Sequence, residues 1–81
     1  MGSIDAKQFI TEVAEVIEAD PKSLSLESGF REAADFWSSL VGFALLTFLE
    51  ERYGTALSVD DFIACQTIGD LHAIASASSQ I

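Results

Sequence analysis

The sequence predicts an all-α fold, a small bundle of three to four helices with a long loop between the first and second. Three observations carry this. Apolar residues near the start, Phe9, Val13, Val16 and Ile17, recur at steps of three and four, which is one face of a helix. Side chains suited to helix capping stand before each later apolar stretch, at Ser38, Ser58 and Thr67. No stretch alternates apolar and polar residues as a half-buried strand would.

The first helix is expected to start near Asp5, with Gln8 three residues on as its capping-box partner, and to end at Asp20 before Pro21. Glu12, Glu15 and Glu18 lie opposite the apolar face and read as a solvated side. The segment from Lys22 to Phe36 is a long connection with Gly29 as a turn point. Leu24, Leu26 and Phe30 anchor it, and Ala33, Ala34 and Phe36 suit a short helical turn before Trp37.

The central helix begins with Ser38 as N-cap and stops at Gly54, a left-handed end with Arg52 in the last turn. It is apolar over most of its surface, through Leu40, Val41, Phe43, Ala44, Leu45, Leu46, Phe48 and Leu49. Such a helix is buried on one face and adhesive on another. Ser58 with Asp61 opens a short helix, and Thr67 with Asp70 opens a last one through Leu71 and Ile74. Residues 76–81, mostly Ser and Ala, are expected to be a disordered tail of a single domain spanning 1–81.

Thirteen acidic against four basic side chains give a net charge of −9. That balance excludes nucleic acid and anionic membrane surfaces as partners, since both require clustered Lys and Arg. It favours a monomer that meets basic patches on other proteins. One cysteine, Cys65, allows no internal disulfide and suits a reducing compartment. The N-terminus lacks the basic and apolar regions of a signal peptide, and the apolar run of the central helix falls short of the ~20 residues that span a bilayer. A cytoplasmic location is expected.

Trp37-Ser38-Ser39-Leu40, then Leu49-Glu50-Glu51-Arg52-Tyr53-Gly54, Leu57-Ser58-Val59-Asp60-Asp61-Phe62 and Thr67-Ile68-Gly69-Asp70-Leu71, resemble the acyl and peptidyl carrier proteins in order and spacing. The likeness spans roughly Phe9 to Ile74 and is closest to discrete bacterial carriers with a W-D-S-L motif. Ser38 stands where that motif has Asp, keeping a capping oxygen but not its charge. The resemblance implies that Ser39 bears a covalent 4′-phosphopantetheine, flanked by Ser38 and Leu40. Independently, Ser39 sits in the first turn, where free backbone N–H groups and the helix dipole favour a phosphate.

The same resemblance implies a non-catalytic carrier of acyl thioesters in fatty acid or polyketide biosynthesis. Its partners would be a phosphopantetheinyl transferase and ketoacyl synthases or acyl-activating and acyl-transferring enzymes. Leu40, Phe43, Ala44, Thr47, Phe48, Glu50 and Glu51 would form the docking face. Leu45, Leu46, Leu49, Phe62, Ile68 and Leu71 would form a core that opens to shelter the acyl chain. An unmodified carrier-fold interaction module and an aminoacyl or peptidyl carrier are the alternatives. His72 and Cys65 lack the neighbours of a catalytic pair, and two such ligands are too few for zinc.

Overall fold

All but the shortest helix begin where a side chain takes over backbone N–H groups that the first turn leaves free. The computed structural model describes residues 4–55 and 57–79, the last two by backbone alone. In chain order the helices are α1 (Ala6–Ile17), α2 (Phe30–Ala33), α3 (Ser39–Tyr53), α4 (Val59–Ala64) and α5 (Ile68–Ser79), with a 3₁₀ turn at Pro21–Ser23. The bundle is all-α, and among the described residues the sole strand-like feature is an isolated antiparallel bridge between Gly29 and Thr67.

The caps follow the sequence closely. Asp5 accepts from the N–H of Gln8, Ser38 from Val41, Ser58 from Asp61, and Thr67 from Asp70. Asp70 completes its box by accepting from the backbone of Gln66 and Thr67, and these bonds hold its carboxyl below the usual carboxylate range. The Asp5 box stays half made, because the Gln8 amide donates to Glu12 one turn on at 3.2 Å. Gly54 closes α3 at φ 68°.

Three expectations need correction. α1 ends at Ile17, not Asp20: Glu18 adopts a left-handed conformation at φ 58° and returns its N–H to the carbonyl of Ala14. Pro21 then opens the 3₁₀ turn. The short helix of the long connection lies at Phe30–Ala33, not Ala33–Phe36, because Phe30 is fully buried and fixes the turn around itself. Residues 76–79 belong to α5 and are not a disordered tail; buried Ala75 and half-buried Ser76 tie its last turns to the bundle. Gln80 and Ile81 lie outside the described residues.

The core forms where α1, α3 and α5 meet pairwise. Phe9, Val13 and Ile17 enter from α1, Leu45 and Leu49 from α3, and Ile68, Leu71 and Ala75 from α5. Phe30 and Phe62 close one end, their ring centroids 5.6 Å apart. The long connection is held by backbone bonds to the start of α5: Ile68 donates to Ser28 at 2.9 Å and Gly69 to Leu26 at 2.7 Å. These use two N–H groups that a helix start leaves free. No helix among the described residues is long and apolar enough to cross a membrane.

Candidate functional site: the start of α3 and the groove beside it

Ser38 is extended (φ −153°, ψ 171°), and its Oγ accepts from the N–H of Val41 at 3.3 Å. That geometry starts α3 at the next residue, so Ser39 is its first helical position and is exposed to solvent. Leu40 beside it is 80% exposed, which is unusual for a leucine in a bundle this small. One turn on, Phe43 is 64% exposed.

Ala44, Thr47, Glu50 and Glu51 also face solvent, so six of the seven residues expected on the docking face lie outside. Phe48 does not. It packs half-buried against the core, edge-on to the Tyr53 ring at 5.9 Å between centroids. Phe43 and Phe48 are five residues apart on α3 and so point away from one another.

Ser39 also lines a cavity of about 250 Å³ between α3 and α4. Trp37, Gly42, Phe43 and Leu46 make one side, Val59, Phe62 and Ile63 the other, and Arg31 closes an end. Of the six residues expected to shelter an acyl chain, Leu46 and Phe62 line this groove. Leu45, Leu49, Ile68 and Leu71 are at most 1% exposed and belong to the closed core instead. The reason is helical phase: Leu45 and Leu49 are one turn apart on the row facing α1 and α5, and Leu46 is a step round toward α4.

Phe43 and Leu46 also line a second, adjoining cavity of about 440 Å³. Thr47 and Glu50 of α3 and Thr55, Leu57 and Ser58 of the next connection complete it. The two cavities thus run one after the other along α3, starting at Ser39.

Arg31, Trp37, Gly42, Val59 and Ile63 are groove residues that sequence reasoning missed. A cation beside Phe30 in a chain with four basic residues was one available signal, and the i, i+4 apolar pair Val59 and Ile63 on a short helix was another. Arg31 Nη1 donates to the carbonyl of Cys65 at 2.6 Å and Nη2 to that of Phe62 at 3.1 Å. Its guanidinium lies 4.6 Å from the Phe30 ring centroid and 5.5 Å from that of Phe62. A cation thus satisfies the last carbonyls of α4, where the helix dipole favours it.

The remaining candidates are structural. Cys65 is buried, and burial, with the Asp70 carboxylate as a lesser cause, pushes its thiol up and away from nucleophilic use. His72 Nε2 lies 2.7 Å from the carbonyl of Ile4, with its ring edge-on to Phe9. No group of three or more potential metal ligands exists among the described residues.

Glu12 departs from the solvated face expected of it. It accepts from Tyr53 Oη and pairs with Arg52 Nη2 at 3.1 Å, linking α1 to the end of α3. Burial favours the neutral acid, but the bonds from Tyr53, Gln8 and Arg52 outweigh it and hold the carboxyl below its ordinary value.

A family model for the phosphopantetheine attachment site matches residues 7–74. Neither the curated proteins nor the solved structures contain a match to this chain. The matched stretch takes in nearly all of α1 and runs into α5, so this chain belongs to the phosphopantetheine-binding carrier family.

Proposed function

We propose that the chain is an acyl carrier with Ser39 as its attachment residue, serving enzymes of fatty acid or polyketide biosynthesis in the cytoplasm. The observation behind this is the position of Ser39, solvent-exposed at the first position of a helix and on the rim of an apolar groove. A phosphate on Ser39 Oγ would meet the free N–H groups of the α3 first turn and the positive end of its dipole. The residues present therefore fit the group. When bound, 4′-phosphopantetheine supplies a terminal thiol that holds an acyl group as a thioester.

The protein's own part is to present and shelter. Trp37, Leu46, Val59, Phe62 and Ile63 offer apolar walls, and each methylene moved from water onto such walls gains about 0.8 kcal/mol. Walls of this kind favour acyl over aminoacyl cargo. Leu40 and Phe43, with Glu50 and Glu51 further along, give partner enzymes an apolar contact rimmed by negative charge. A phosphopantetheinyl transferase, a ketoacyl synthase or an acyl-transferring enzyme would meet it with an apolar surface bordered by Lys and Arg. The single free, buried Cys65 agrees with a reducing compartment.

Intact mass after incubation with coenzyme A and a broad-specificity phosphopantetheinyl transferase tests the reading. The chain should gain one phosphopantetheinyl group, and Ser39→Ala should gain none. An unchanged mass for the natural chain would refute it.

One observation favours a second reading, an unmodified interaction module. Leu40 and Phe43 expose large apolar side chains beside a serine that lacks the usual preceding Asp, and exposed apolar patches mark interaction sites. Protein isolated from its own host with Ser39 wholly unmodified and a stable partner attached would select it.

A further inference from the structure

A residue in the wall of the second cavity carries a buried polar atom with no partner. Thr55 is the one buried residue among those lining it, at 1% exposure. Its Oγ1 is sealed from solvent and makes no hydrogen bond among the described residues. The cavity's other walls are Phe43, Leu46 and Leu57, Thr47 and Glu50 line it as solvent-exposed residues, and the hydroxyl of Ser58 already caps α4. A buried hydroxyl left unpaired is costly, and the cost is recovered when an incoming group bonds to it. A pocket with apolar side chains on its walls and one buried polar group unmet has the form of a site that fixes a ligand's orientation.

Continuity supplies the occupant. This pocket shares Phe43 and Leu46 with the groove that starts at Ser39. A chain tethered at Ser39 and lying in the groove therefore runs on toward Thr55. We infer that Thr55 is a specificity-determining residue for an oxygenated acyl chain, donating a hydrogen bond to a ketone oxygen of the cargo. The inference rests on the carrier reading above and adds the cargo's chemical class. A fully reduced chain would fill the same walls and leave the hydroxyl unmet, so the pocket discriminates in favour of the oxidised chain.

The test uses the full chain loaded enzymatically at Ser39 from synthetic coenzyme A thioesters. The cargoes are octanoyl and the octanoyl chains with a ketone at the third, fifth or seventh carbon. Intact mass confirms loading, and thermal unfolding is the readout. At least one ketone chain should raise Tm above the octanoyl form by about 4–8 °C, the shift that one hydrogen bond brings in a domain of this size. Thr55→Val should abolish that difference. In the unloaded protein the same substitution should leave Tm unchanged or raise it, because it removes an unpaired group and no bond.

No ketone chain exceeding octanoyl would overturn the assignment. So would a gain that survives Thr55→Val, or a lowered Tm for the unloaded variant. A Thr55-dependent gain already complete in the protein bearing the free-thiol arm would credit the arm's own amides and equally overturn it. A chain that gains no mass sinks the carrier reading and this inference together, whereas full loading without ketone preference sinks this inference alone.

Discussion

At Gly69 a Cβ would stand 2.8 Å from the carbonyl oxygen of Leu26, the same atom that accepts the Gly69 N–H. That neighbour is backbone and cannot step aside without loosening the long connection. Gly42 is the opposite case. A Cβ there would meet the Trp37 ring at 3.4 Å and the Phe62 ring at 3.7 Å, which is ordinary contact. The two glycines should therefore part company. Gly69→Ala should lower unfolding stability by about 1–3 kcal/mol, the usual cost of overpacking. Gly42→Ala should raise it by about 0.5–1 kcal/mol, because alanine suits a helix interior better. Urea denaturation of both variants decides the matter, and shifts of the same sign would contradict the geometry.

At the scale of elements, α1 and α3 are joined by a polar link as well as by the core. Glu12 on α1 takes hydrogen bonds from Tyr53 and Arg52 at the end of α3. Partial burial, then the bond to the Glu12 carboxylate, pushes the Tyr53 hydroxyl up to about 12. With the folded value above the unfolded one, this link stabilises fully below about pH 10 and is lost as pH rises through about 12. Glu12 has the reverse sign, its folded value lying below the unfolded one. Its contribution is present above the ordinary carboxylate range and fades as acid protonates it. The chain has a single tyrosine, so tyrosinate absorbance reports this group alone. Glu12→Gln should bring its titration midpoint down toward 10, with burial holding it somewhat above. An unmoved midpoint would mean that Glu12 plays no part.

Over the whole molecule, a net charge of −9 on 81 residues makes the folded state repel itself. Sodium chloride raised from a few millimolar to about 0.1 M brings the screening length to about 10 Å and should raise Tm. A fall would show that the ion pair of Glu12 with Arg52 outweighs the general repulsion. What the sequence made legible at this scale were the ends of the helices. Ser38, Gly54, Ser58 and Thr67 act through bonds to neighbours a few residues away, so local pattern suffices to read them. The facing of α3 was not legible in the same way. Apolar residues surround it, so period alone could not separate Leu46, on the groove, from Leu45 and Leu49 in the core. The course of residues 18–35 was hidden for another reason: beyond its own local turns, it is placed by bonds from the start of α5, far along the chain, to the carbonyls of Leu26 and Ser28. Arg31 fastens α4 through main-chain carbonyls, which every amino acid possesses. Val59 and Ile63 are therefore free to be exchanged for side chains of other sizes without undoing that fastening, and a single scaffold of this design could be refitted for cargo of a different girth.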